Sequence, residues 1–275
     1  ITPTTVDSHR ILLSILFNWA FRRDYMSFNP AAGFAVRDRR PQAQKRLPFH
    51  VDELKLLFEG STLYTGHAGH VRSAPGPDVF RDGKFWMPLL GLFTGARVSE
   101  LINLWPSDLR RDSGVHYLDI SKGGTLTTVK TQTSERAIPV HPELLRIGLV
   151  EFFEGKRTNG DKFIFPDLGR ETPTGVVAKH WSEKWRRIQT FSGIDHPKKS
   201  FHSFRHTFKS ACRASGIPEE IHDAFTGHKY HLSARRYWSR IPIKLLAEHM
   251  VTLKYPELDL SHLYEDRPNH ASNLN

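Results

Sequence analysis

The sequence predicts a mainly α chain with one small three-stranded antiparallel β-sheet. Two observations carry this. Apolar residues recur at helical spacing through most of the chain, as in Leu12, Ile15, Leu16 and Trp19, or Phe201, Phe204, Phe208, Ala211 and Cys212. Amid these stretches lie three short runs, 115–120, 126–130 and 136–140. Turns at Lys122-Gly123-Gly124 and near Thr133-Ser134 separate them, so they read as strands. With 39% hydrophobic residues in a chain of 275, there is material for a real core.

Taken in order, residues 5–23 form the first expected helix, capped by Thr5 or Asp7. One amphipathic helix cannot bury its own face, so its partners must lie elsewhere. The segment closes at Phe28-Asn29-Pro30. Residues 32–47 carry Arg37, Arg39, Arg40, Lys45 and Arg46 with Pro41 and no apolar period, which reads as a basic linker. Residues 51–58 are expected helical, and 60–83 a long Gly-, His- and Pro-rich loop. His67 and His70 stand three apart there, but Gly66 and Gly69 speak against a helical metal pair. An apolar helix over 85–93 breaks at Thr94-Gly95, and Val98, Leu101 and Leu104 start a second apolar face. Beyond the strands, 142–153 and 174–190 are helical, the latter with Val177, Trp181, Trp185 and Ile188 on one face. Residues 241–250 form a last helix, and the tail from Pro268 is polar. The chain opens on Ile1 rather than Met and is expected to be a fragment.

Net charge is +10, which favours a polyanionic partner. A single cysteine, Cys212, rules out an internal disulfide, and its place on an apolar stripe marks it as a buried thiol. No apolar run approaches the roughly 20 residues of a membrane span. No signal-peptide pattern is visible.

The most informative stretch runs from Phe201 to Trp238. His202 and Arg205 stand three apart beside its apolar stripe, on a common helix edge. Gly216-Ile217-Pro218 ends that helix and starts another, which Thr226-Gly227 ends in turn. His228 follows, and Tyr237 comes nine residues later among Arg235, Arg236 and Arg240. A phenol can attack a phosphodiester if cations stabilise the phosphorane and other groups move protons. Arg suits the phosphoryl oxygens, because its planar fork binds two at once and keeps its charge. His shuttles protons near neutral pH. His206 lies four residues from His202, but no HExxH glutamate accompanies them, and His206 is read as structural.

H-x-x-R, then Gly-His, then Tyr nine residues on resembles the tyrosine site-specific recombinases, the phage integrase group. Two further phrases fit that family: Thr94-Gly95-Ala96-Arg97-Val98-Ser99-Glu100-Leu101, and Lys130-Thr131-Gln132-Thr133-Ser134-Glu135-Arg136-Ala137-Ile138-Pro139. Asn18-Trp19-Ala20 and Asn29-Pro30-Ala31 match a phrase at the end of the family's helical core-binding domain. The resemblance covers about Thr5 to Arg240. It implies the end of a core-binding domain over 1–36, a basic linker over 37–46 and a catalytic domain over 47–275. It also implies cutting and rejoining of duplex DNA through a 3′-phosphotyrosyl intermediate, in integrating or excising a mobile element.

The resemblance assigns Tyr237 as nucleophile, with Arg97 and Arg205 on the non-bridging oxygens. Lys130 protonates the leaving oxygen, with Lys122 as its rival. His202 is general base, and His228 a hydrogen-bond donor to the phosphate. Tyr230, two residues after His228, is the decoy nucleophile. Glu100 is either an orienting carboxylate behind Arg97 or an ordinary surface residue. Arg37, Arg39, Arg40, Lys45, Arg46, Arg235 and Arg236 are expected to contact DNA phosphates. No cofactor and no metal is expected. The expected partners are double-stranded DNA, further copies of the chain in a homotetramer on paired sites, and accessory DNA-bending proteins. No membrane is involved, and the setting is cytoplasmic, at the nucleoid. Two alternatives remain: a type IB topoisomerase-like strand relaxer, and a catalytically silent DNA-binding relative.

Overall fold

The computed structural model describes residues 3–34, 46–120, 135–169, 176–227 and 241–264. The chain divides into two compact units at Lys45–Arg46. The first holds α1 (Pro3–Phe21) and the turn after it. Asn29 staples that turn to the helix: its Nδ2 donates to Ser14 O (3.2 Å), Ser14 Oγ (3.0 Å) and Asn18 Oδ1 (2.9 Å), and its Oδ1 accepts from the Ala31 amide. The Trp19 ring is flanked by Tyr25 at 5.7 Å and the Arg23 guanidinium at 5.0 Å. Among the described residues of this unit nothing covers Leu12, Ile15 and Leu16, as expected for a lone amphipathic helix.

The second unit begins with α2 (Val51–Lys55), whose helical path widens into a π turn over Leu56–Gly60. The stretch read as a loop is ordered structure. It holds α3 (Thr62–Thr65), β1 (His67–Ala68) and β2 (Val71–Pro75), the two strands pairing antiparallel. The glycines that spoke against a helix serve this hairpin. A Cβ on Gly66 would stand 2.3 Å from Gly76 O, and one on Gly76 2.5 Å from His67 O. His67 is buried and accepts from Arg72 Nη1 at 2.8 Å. Among the described residues no cluster of three metal-ligating side chains exists.

The core centres on α4 (Gly83–Thr94), in which every residue but Lys84 is buried. Asp82 caps it, accepting from the amides of Lys84 and Phe85. After α5 (Val98–Ile102) come β3 (Leu109–Asp112), β4 (Val115–Asp119) and β5 (Ala137–Pro139), an antiparallel sheet in that order. Leu109, Leu118 and Ile138 face one another on its buried side. The sheet has three described strands, but one is not among those foreseen: Leu-Arg-Arg-Asp is too polar to read as a strand by alternation, and it pairs only because β4 supplies the partner. The run 126–130 lies outside the described residues, as does the tail from Pro268.

The run expected as one helix over 142–153 is two, α6 (Pro142–Ile147) and α7 (Leu149–Thr158), broken by Gly148 at φ 95°. Then come α8 (Val176–Phe191), α9 (Ser203–Ala214), α10 (Glu219–Thr226) and α11 (Ile243–Thr252). Trp181 and Trp185 of α8 meet Phe201 and Phe204 at 5.2–5.7 Å, with Phe49 4.8 Å from Phe204. These rings seat α9 against α4 at Gly91, where a Cβ would stand 3.0 Å from Phe201. Cys212 is fully buried, and burial pushes its thiol up to about 12. Among the described residues no helix is long and apolar enough to cross a membrane.

Candidate active site

Three helix ends converge on one cluster of arginines. The first is the break between α4 and α5. Thr94 Oγ1 donates back to Leu90 O and accepts from the Ala96 amide (3.1 Å), while Gly95 takes the left-handed conformation at φ 59°. A side chain at Gly95 would lie 2.7 Å from Phe208, so the turn needs glycine twice over, for its dihedral and for its closeness to α9. Arg97 follows at the N-cap of α5. Glu100, three residues on, accepts from the Arg97 amide (2.6 Å) and from Arg97 Nη1 (2.9 Å). The Arg97 side chain remains 42% exposed. Glu100 is not an ordinary surface residue: its side chain is 13% exposed, and both of its oxygens accept from Arg97.

The second end belongs to α9. His202 sits exposed at its N-cap, and Arg205 one turn in is buried. Arg205 Nη1 donates to Gly95 O at 2.9 Å and Nη2 to Thr226 O. One guanidinium thus ties the Arg97 turn to the third end, the last turn of α10. Burial and the nearby charges of Arg97 and Arg136 lower its pKa to about 9, still charged at neutral pH. Arg136, just before β5, completes the group. Its fork grips both Glu100 oxygens, at 3.1 and 2.7 Å, and its Nε donates to Phe225 O at 2.7 Å. Burial opposes the Glu100 charge, but the Arg136 hydrogen bonds and charge, with Arg97 behind them, outweigh it and hold the carboxyl at about 2.

Partial burial and the positive charges of His206, Arg205, Arg97 and Arg46 lower the His202 pKa to about 4. The ring is neutral above that pH and free to accept a proton. His206, read as structural, is exposed instead, with its ring 5.3 Å from that of His202. Beside His202 and Arg97 opens a cavity of about 520 Å³, lined further by Arg46, Arg186, Gln189 and Lys199. Lys199 is buried against Glu53 and lies over the Phe49 ring. That pair holds the entry to α9, for the Phe49 amide donates to Thr207 Oγ1 at 2.8 Å. The lining from α8 went unforeseen: Arg186 is exposed on the polar face of a helix read for its tryptophans, and Gln189 is a buried polar residue on the same row as Trp181 and Trp185.

Of the expected site residues, Arg97, Glu100, His202 and Arg205 come together, and Arg46 lines the adjoining cavity. Lys130 and its rival Lys122, His228, Tyr237 and its decoy Tyr230 lie outside the described residues. So do Arg37, Arg39, Arg40, Lys45, Arg235 and Arg236.

Comparison with known proteins points to one family. The Phage integrase family model matches residues 82–240. The tyrosine recombinase XerA of Pyrococcus furiosus is 26% identical over 226 residues, which is 82% of this chain and 68% of XerA. Two solved structures share the fold. The XerH site-specific recombinase in a post-cleavage complex with palindromic difH substrate superposes with TM-score 0.58 at 16% identity, over 86% of this chain and 64% of that one. A lambda integrase dimer bound to a COC′ core site gives 0.54 at 20% identity, over 88% and 77%. A family match across more than half of the chain, falling on the very helix ends that bring Arg97, His202 and Arg205 together, means that this chain belongs to the phage integrase family, the tyrosine recombinases.

Proposed function

We propose that this recombinase cuts and rejoins duplex DNA through a 3′-phosphotyrosyl bond to Tyr237. One observation carries the reading: Arg97 and Arg136 share the carboxylate of Glu100 and Arg205 stands beside them, leaving a surplus of positive charge at an opening beside a neutral imidazole. Such a surplus is costly in the free protein and is discharged by a phosphodiester. The phenol oxygen of Tyr237 attacks phosphorus, and the bond to the 5′-oxygen breaks. His202 takes the phenol proton and Lys130 supplies one to the leaving oxygen. Arg97 and Arg205 hold the non-bridging oxygens, and His228 donates a hydrogen bond to them. The arriving phosphate offsets the charges that depress His202, so its basicity rises as substrate binds. The phosphotyrosine conserves the bond energy, and the 5′-hydroxyl reverses the step on a new partner strand.

Duplex DNA is the substrate in this reading, held by the basic residues 37–46 and by Arg235 and Arg236. Residues 1–36 belong to a core-binding domain, and 47–275 to the catalytic domain. The related lambda integrase is seen as a tetramer on a Holliday junction, and a homotetramer on paired sites suits strand exchange here. The biological outcome is integration or excision of a mobile element. A pool of nicked duplexes with randomised sequence around the nick tests the chemistry. Covalent protein–DNA adduct should form on a denaturing gel, disappear in Tyr237→Phe and persist in Tyr230→Phe. An adduct that survives Tyr237→Phe overturns the assignment.

A further inference from the structure

We propose that Arg136 is a positioning residue that sets the geometry of three parts of the site at once. Its side chain is 6% exposed, so it cannot reach a substrate. Among the described residues its hydrogen bonds reach three different places. The fork holds both oxygens of Glu100, the carboxylate that also receives the amide and guanidinium of Arg97. The Nε–H is aimed at Phe225 O, in the last turn of α10, where a cation also meets the negative end of the helix dipole. The Arg136 carbonyl accepts from the Ile120 amide at 2.9 Å, tying the end of β4 to the start of β5. Gly227, at φ 64°, is packed against the same guanidinium: a Cβ there would lie 3.0 Å from Nη1. The C-cap of α10 is therefore packed on the Arg136 guanidinium.

A planar fork is needed for this. Two parallel N–H bonds fix the plane of the Glu100 carboxylate, and that plane fixes the direction of Arg97. Lysine keeps the charge but offers no fork, and cannot reach Glu100 and Phe225 together. Arg205 holds Thr226 O, the next carbonyl along, so the α10 terminus is pinned from two sides. Arg97, Arg205 and the C-terminal turn of α10 thus share one buried support. The inference goes beyond the phosphotyrosyl reading, and only its catalytic consequence rests on it.

The test uses the full chain and the variant Arg136→Lys. Binding of inorganic phosphate by calorimetry should weaken roughly 10-fold, as when a supporting partner of a ligand-binding group is lost. The rate of adduct formation on the randomised nicked duplex pool, at saturating DNA, should fall on the order of 10²-fold, as for a displaced reacting geometry. The DNA concentration for half-saturation should hardly change. Should Arg136→Lys melt near the assay temperature, the same measurements on Arg136→Met/Glu100→Gln, which leaves no unpaired buried carboxylate, separate stability from geometry: melting should recover and the rate should not. Wild-type phosphate affinity and rate in Arg136→Lys, or a rate that recovers together with melting in the double variant, overturns the inference. If wild-type phosphate binding is lost in Arg136→Lys while no chain forms adduct, the positioning stands and the phosphotyrosyl reading falls.

Discussion

Two clusters in the second unit contain the same ingredients, arginine, histidine and carboxylate, in opposite balance. In the hairpin after α3, Arg72 lies between His67 Nε2 (2.8 Å) and Asp82 Oδ2 (2.5 Å), with Asp78 nearby. The arginine charge there is met by carboxylates, the imidazole and the guanidinium are buried, and Asp82 caps α4 as well. At the helix ends, among the described residues, Arg97 and Arg136 share one glutamate with Arg205 alongside, and Arg97 is left 42% exposed. The difference teaches that residue types do not make a site. A cluster whose charges cancel is part of the scaffold, while one with an exposed surplus is waiting for an anion.

The sharpest way to break this comparison is to remove an arginine from each cluster. Arg205→Lys should lower adduct formation on the order of 10³-fold, because lysine cannot span the Gly95 and Thr226 carbonyls while serving a phosphate. Arg72→Met should leave the rate at saturating DNA unchanged and instead lower the melting temperature on the order of 10 °C, the cost of an unpaired, partly buried Asp82. If Arg72→Met slows the chemistry as much as Arg205→Lys, the two clusters are not different in kind.

A smaller effect separates the clusters by ligand. Inorganic phosphate at 100 times its Kd should stabilise the wild-type chain by about 2.7 kcal/mol, since it binds only the folded state. Arg97→Ala should abolish that gain and Arg72→Met should retain it. A gain that persists in Arg97→Ala places the anion elsewhere.

The smallest effect is in pH. His202 has an ordinary pKa of 6.5 and a folded value of about 4. Between the two the unfolded chain binds a proton that the folded chain refuses. The penalty is absent above about pH 6.5 and grows as pH falls toward 4. Denaturant titrations of His202→Gln should therefore show a flatter stability profile over that window. Saturating phosphate should flatten the wild-type profile too, because an anion beside the ring raises its pKa. A wild-type profile unchanged by His202→Gln removes the imidazole from this electrostatic group.

Much of this was legible before any coordinate. Phe201, Phe204, Phe208 and Cys212 read as a core stripe and are buried; Val177, Trp181, Trp185 and Ile188 likewise. The Gly95 break was visible as punctuation, and so was the projection of Arg97 beyond it. Misreadings fell where a local rule had no local answer. The loop 60–83 has no apolar period, because its hairpin closes on glycine backbones and an Arg72–Asp82 pair rather than on side-chain alternation. The helix 142–153 divides at Gly148, whose positive φ no periodicity announces. Leu109–Asp112 is a strand only by pairing with β4.

The sequence by itself determined the helical periods, the surplus of positive charge and the order of the reactive residue types, because spacing and composition are local and survive in one dimension. Only the tertiary structure decided which charges cancel. Arg72 and Arg136 are both buried arginines next to carboxylates, and nothing in their neighbours along the chain tells them apart. Arg72 answers to Asp82, ten residues away; Arg136 answers to Glu100 and Phe225, 36 and 89 residues away. Long-range pairing of that kind is set by how α4 packs on α9 and how β5 meets the end of α10, since electrostatic balance is a property of distance in space rather than along the chain.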